Sequence, residues 1–213
     1  MTTLLLLAPG TPMLFQGQEF AASNPFYYFA DHEKGLRRLV WEGRIQSFGQ
    51  FPSLAQPEMR TYHVDPGDPA TFQRSKLKLR ERETHPEVYL LHKDLLRLRR
   101  EEPVFRAQRP GGVDGAVLAP EAFLLRFFTA DEGNLNDERL LIVNLGSDLT
   151  LDPAPEPLLA PIEEHIWALA WSSEAPRYGG CGTAPVDSGL GWRIPGHAAV
   201  VLKPAPESQE WTT

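Results

Sequence analysis

The chain has 213 residues, 42% of them hydrophobic and 10% aromatic, with 21 basic against 28 acidic side chains and a net charge of −7. That is material for one large domain or two small ones with a true core, and the acidic balance disfavours a nucleic-acid partner. The single cysteine, Cys181, excludes an internal disulfide and suits a reducing compartment.

Thr3–Leu7 read as the last turns of a buried helix, and Pro12–Phe15 as a short buried strand ending in the polar Gln16-Gly17-Gln18-Glu19. Helix, loop, buried strand and polar tip is the order of an α/β unit, whose strand ends build active sites in barrels. The opening apolar run has no basic flank and is broken by Pro9-Gly10-Thr11-Pro12, so it is not expected to act as a signal peptide. No run reaches the ~18 apolar residues of a membrane span. A cytoplasmic protein with no membrane partner is expected.

Asp31–Phe51 is helix-like but interrupted by Gly35, Gly43 and Gly49, with Trp41 on its core side. The proline-rich 52–70 reads as loop. A strong helix follows, opened by Thr84-His85-Pro86-Glu87, striped by Val88, Leu91, Leu95 and Leu98, and ended by Pro103. Its Arg97, Arg99 and Arg100 are expected on the solvated face. From 104 to 204 short apolar runs recur (123–128, 140–145, 166–171, 198–202) between glycine, proline, asparagine and aspartate, the pattern of an antiparallel β-sandwich. Trp167, Trp171 and Trp192 read as structural. Residues 205–213 read as a frayed tail.

"APGTPMLFQGQEF" resembles the last barrel strand of glycoside hydrolase family 13, the α-amylase superfamily. "NPFYYFADHEKGL", "DPATFQRSKL" and "VYLLHKDLLRLRREEP" are similar, more specifically, to malto-oligosyltrehalose trehalohydrolases. The resemblance spans almost the whole chain. It implies an α+β fragment: the last β/α unit of a (β/α)8 barrel with rim loops and final helices in 1–103, then a C-terminal antiparallel β-sandwich in 104–204. It also implies hydrolysis of the α-1,4 bond beside the terminal trehalose of malto-oligosyltrehalose.

Retaining glycosidases need two carboxyls about 5–5.5 Å apart. The family's nucleophile, acid and Asn-His-Asp motifs are not found in these 213 residues, and a whole barrel takes ~200 residues or more. No catalytic residue is therefore assigned, and the chain alone is expected to be inactive. Glu19 with Asp31 is the carboxylate pair to test. The expected roles are a hydrogen-bonded floor for Glu19 and hydroxyl binding or helix capping for Asp31.

Sugar rings have apolar faces and hydroxyl edges, so aromatics beside polar groups are the expected chemistry. Gln18, Glu19, Phe29, Asp31 and His32 are the candidate substrate-binding residues, and at least two of Phe26–Phe29 are expected to pack inward. The six histidines show no metal spacing, no cofactor is expected, and Cys181 reads as inert. The partners expected are an α-glucan, and either the missing barrel portion or a second copy through residues 1–20. The competing readings are a non-catalytic glucan- or partner-binding sandwich and the tail of a glycogen branching enzyme.

Overall fold

The run Leu140-Leu141-Ile142-Val143 has no polar position, the mark of a strand covered on both faces. In the computed structural model, which describes residues 1–129, 135–188 and 191–207, this run lies at the middle of a five-stranded antiparallel sheet. The chain divides into two compact units, Met1–Phe15 with Pro86–Thr213, and Gln16–His85.

The first unit contains α1 (Thr2–Leu7); the second holds α2 (Lys34–Phe48), α3 (Pro69–Ser75) and α4 (Glu81–Thr84). The first then resumes with α5 (Pro86–Glu101) and α6 (Pro103–Ala107). Its strands are β1 (Val113–Ala119), β2 (Ala122–Phe127), β3 (Arg139–Asn144), β4 (Leu149–Leu151), β5 (His165–Ser172), β6 (Asp187–Ser188), β7 (Gly191–Ile194) and β8 (Ala198–Pro206). Among the described residues the large sheet runs β1-β2-β3-β8-β5 and a small one β4-β7-β6.

Each face of β3 has its own cover. Leu140 and Ile142 join Leu124, Val200, Leu202 and Trp167, and these meet Val186, Trp192 and Ile194 around the small sheet. Leu141 and Val143 join Phe127, Val201 and Trp171, and these meet Leu6, Leu7, Leu95, Val104 and Phe105 of the helices. The two tryptophans of β5 sit four residues apart yet serve opposite faces. A bulge explains this: Leu169 faces Leu202, but Trp171 faces Val201, so Ala170 is the extra residue that reverses the alternation.

α1 is too short to persist alone. Leu6 and Leu7 bury it against the sheet cluster, and Arg99 of α5 ends it. The Arg99 guanidinium donates to the carbonyls of Leu6 (2.7 Å) and Ala8 (3.0 Å) and to that of Gly10. Helix C-termini leave carbonyls without partners, and a buried cation is a strong one. Arg99 is only 8% exposed, which corrects its expected place on the solvated face. It lies seven residues after His92 and four after Leu95, both buried, so it belongs to the inner stripe.

Asp94, one residue before Leu95, is also buried and accepts the Tyr178 hydroxyl at 2.7 Å. The same hydroxyl accepts the Trp171 indole N–H at 3.0 Å, tying α5 to β5 through a polar pair of bonds. Burial and the Asp94 hydrogen bond raise the Tyr178 hydroxyl above its ordinary range.

Other expectations are corrected. Among the described residues Pro12–Phe15 forms no strand and belongs to no sheet, and Met13 is 85% exposed: a strand exists only within a ladder of paired backbone groups. α2 runs unbroken through Gly35 and Gly43, each of which costs about 1 kcal/mol without ending a helix. None of its residues is buried, and Trp41 is half-buried, so it is no core residue. Thr84 belongs to α4; α5 does end just before Pro103, at Glu101, and Pro103 then opens α6 as its first residue. β8 continues to Pro206, and the rest of the 205–213 tail, from 208, lies outside the described residues. Among the described residues no helix is long and apolar enough to cross a membrane.

Replacing Arg99 by Met keeps the stem but strands three helix-end carbonyls. Unfolding free energy of the first unit should fall by about 3 kcal/mol, read from urea denaturation followed by tryptophan fluorescence, since Trp171 lies in the cluster α1 covers. A change under about 0.5 kcal/mol would show that the carbonyls find water instead.

Candidate functional site

The segment from Phe26 to Asp31 has no regular structure, so its aromatics take their positions from contacts within the second unit. Tyr27 is anchored twice. Its N–H donates to the buried Ser75 hydroxyl at 3.1 Å, and its own hydroxyl accepts from Arg74 at 2.9 Å, with the Arg74 guanidinium stacked 4.7 Å above the ring. Arg44 of α2 covers Tyr28 at 4.6 Å. Phe29 meets Phe72 of α3 edge to face at 5.0 Å and Phe26 at 5.9 Å. None of the four aromatics is fully buried, and Phe26 and Tyr28 are exposed, which corrects the expectation that two pack inward.

Phe29, Ala30 and Asp31 form one wall of a groove of about 540 Å³, and Pro66, Gly67, Asp68, Pro69 and Phe72 form the other. The walls are joined by the Ala30 N–H donating to the Pro66 carbonyl at 3.0 Å. Asp65-Pro-Gly-Asp-Pro makes the second wall rigid for reasons legible in each residue. Asp68 accepts the Ala70 N–H at 2.8 Å as the N-cap of α3, and Pro69 is its first residue. Asp65 accepts the Gly67 N–H at 2.8 Å through one carboxylate oxygen, and its carbonyl accepts the Thr71 hydroxyl at 2.6 Å.

The other oxygen of Asp65 accepts two N–H groups of Arg37, at 2.6 and 3.2 Å. Arg37 lies on α2 and crosses directly over Gly67: a Cβ there would come within 2.4 Å of the Arg37 Cδ and Nε. A side chain at Gly67 would displace Arg37 from this position. The Arg37 hydrogen bond holds the Asp65 carboxyl below the usual carboxylate range; partial burial opposes the shift and the Gly67 N–H adds to it.

Of the residues singled out in the sequence, Phe29 and Asp31 line the groove. Gln18 and Glu19 lie in a 3-10 turn (Gln18–Phe20) and His32 is half-buried; none of the three lines it. Asp31 does not cap α2, whose N-cap is Glu33. Among the described residues Asp31 makes no hydrogen bond or ion pair, so its acceptor oxygens are available. The sequence reading missed Phe72, Asp68, Arg37 and Asp65. The first, second and fourth sit in or beside "DPGDPATFQRSKL", whose turn and capping signals mark a built wall. Among the described residues no cluster of His, Cys, Asp and Glu is fit to hold a metal. Cys181 is exposed and free.

Comparison with known proteins gives this geometry a context. A family described as "Domain of unknown function (DUF3459)" matches residues 110–201, which span most of the strands. Malto-oligosyltrehalose trehalohydrolase of Deinococcus radiodurans is 43% identical over 149 residues, 67% of this chain and 22% of its own length. That of Brevibacterium helvolum is 36% identical over 157 residues, 70% of this chain and 25% of its own length. The chain belongs to the malto-oligosyltrehalose trehalohydrolase family. It fits the C-terminal portion of these glycoside hydrolase family 13 proteins and spans about a quarter of the length of the curated relatives it matches.

Solved structures show the same fold at low identity. The trehalulose synthase MutB from Pseudomonas mesoacidophila MX-45 matches with a TM-score of 0.53 at 18% identity, over 96% of this chain and 37% of that one. A pullulanase from Anoxybacillus sp. LM18-11, complexed with maltotetraose, matches with a TM-score of 0.53 at 16% identity, over 95% and 22%.

The lowered Asp65 carboxyl gives a pH prediction. The clamp is fully present above the ordinary carboxylate range and is lost as pH falls through the depressed value. Carboxyl carbon NMR should show Asp65 titrating below that range. The Gly67 amide should follow the same titration, and its response should vanish in Asp65→Asn. Asp65 titrating at or above the ordinary range would contradict the clamp.

Proposed function

We propose that this chain is the C-terminal part of a glycoside hydrolase that cleaves the α-1,4-glucosidic bond next to the terminal trehalose of malto-oligosyltrehalose, releasing trehalose. The observation that carries the reading is the 43% identity over 149 residues to a protein named for that activity. In this reading residues 1–103 are the last β/α unit of a (β/α)8 barrel with its rim loops and final helices, and 104–204, with β8 carried on to Pro206, the sandwich domain. Gln18, Glu19, Phe29, Asp31 and His32 face the substrate rim. The nucleophile and the general acid belong to a part of the enzyme outside these 213 residues, so the chain alone does not turn over. The location is cytoplasmic, and the exposed side chains of residues 1–20, Leu5, Met13 and Phe15, pack against the rest of the barrel or, without it, against a second copy.

The groove supports the reading in its chemistry. An acceptor-only carboxylate with no partner among the described residues stands beside an aromatic edge, the combination that binds a ring with hydroxyls at its rim and C–H groups on its face.

The test compares the 213-residue chain with the longer product of its gene, both given malto-oligosyltrehalose. The longer product should release trehalose and the chain alone none. In the longer product Asp31→Ala should raise KM roughly tenfold, the loss of about 1.4 kcal/mol of binding, with kcat little changed. Turnover by the chain alone that Asp31→Asn abolishes would overturn the non-catalytic assignment. A longer product that binds the substrate but hydrolyses none of it would overturn the activity.

A further inference from the structure

We propose that Phe72 and Asp68, which no sequence signal assigned to chemistry, complete with Phe29 and Asp31 a subsite for one glucosyl ring of an α-glucan, and that Arg37 is the residue positioning it. The inference deepens the trehalohydrolase reading and rests on it for the choice of sugar.

The groove's own chemistry narrows the occupant. Among the described residues its lining holds two carboxylates and no Lys or Arg; Arg37 is engaged by Asp65, and Lys76 stands over the Phe72 ring. The two carboxylates disfavour phosphate and carboxylate ligands. Pro66 and Pro69 have no N–H, so the wall offers few backbone donors, and the ligand must bring its own donors. Asp31 has both oxygens available, and Asp68 spends one oxygen on the Ala70 N–H and keeps the other. A neutral ring with several hydroxyls supplies those donors at its edge. Phe72, 43% exposed, offers an apolar surface, and Phe29 fixes it edge to face. Lys76 sits 4.7 Å from the Phe72 ring centroid, so one side of that ring is occupied by a cation and the ring is held in place.

Shape depends on Arg37. The Pro66–Pro69 wall hangs on two ties, the Ala30–Pro66 backbone bond and the Arg37–Asp65 pair. Asp65 also organises Gly67 and Thr71, so its capture by α2 sets where Asp68 and Phe72 stand relative to Asp31. The Arg37 pair is partly solvated and so contributes little to stability. Its effect is on the geometry of the wall. Gly67 belongs to the same device, since any side chain there displaces Arg37.

The experiment uses the 213-residue chain, isotopically labelled, titrated with maltotetraose and followed through backbone amides. Shifts should concentrate in 29–31 and 66–72. Phe72→Ala should abolish them, and Asp68→Asn should weaken binding about threefold to tenfold. Both side chains are exposed, and Asn still caps α3, so the fold is retained. Gly67→Ala should weaken binding to the same degree while the amides of the first unit stay unmoved. Arg37→Lys should restore part of what Arg37→Ala loses, since one donor still reaches Asp65.

Shifts that fall outside the groove, or that survive Phe72→Ala, would overturn the subsite while leaving the trehalohydrolase reading intact. No binding at 10 mM maltotetraose, or a stronger response to tetramethylammonium at the groove, would overturn it as well. Failure of the parent reading shows separately, as absence of trehalose release by the longer product.

Discussion

Burial of the central strand on both faces is the constraint from which the first unit is built. A strand with polar alternation needs one cover; Leu140–Val143 need two. The small sheet supplies one, through Trp192, Ile194 and Val186. The other comes from α1, α5 and α6. This is why six residues at the start of the chain hold a helix at all, and why an arginine on α5 turns inward to end it. It is also why β5 carries a bulge: a regular strand would put both tryptophans on one side and leave the helical layer without Trp171.

The second unit obeys a different rule. Its longest helix, α2, buries none of its residues, and its fixed points are polar: Arg37 with Asp65, Ser23 with Glu81, Tyr27 with Ser75 and Arg74. Bonds of this kind specify direction better than apolar burial does. They hold the irregular segments 29–31 and 65–68, with the first turn of α3, at a fixed separation and leave a groove between them. A site made of loops needs such supports, because loops have no ladder of backbone bonds to hold them.

The two units differ in how they are held: the first by apolar packing, the second by polar ties between its segments. The matched family region, residues 110–201, lies wholly in the packed unit. The longer likeness to trehalohydrolases covers 67–70% of the chain, more than that region alone accounts for.

The sequence by itself determined the local elements with strong patterning: α5, and the apolar runs 123–128, 140–145, 166–171 and 198–202, each of which falls on a strand. Each has a run of apolar residues whose spacing admits one reading. It also carried the family, through short motifs whose residue order is specific, and it placed Phe29 and Asp31 among the sugar-facing candidates. Tertiary structure alone decided the rest. Arg99 and Asp94 look like solvated charges on a helix until the carbonyls of α1 and the hydroxyl of Tyr178 come to meet them. Pro12–Phe15 has the composition of a strand, but a strand is a pairing and not a segment. The edge strand β1, half-exposed and holding Gly115, carries too little pattern to be read. Arg37, Asp65, Asp68 and Phe72 escaped because 28 residues separate Arg37 from Asp65, and only the folded chain puts a guanidinium over a glycine that far along the sequence.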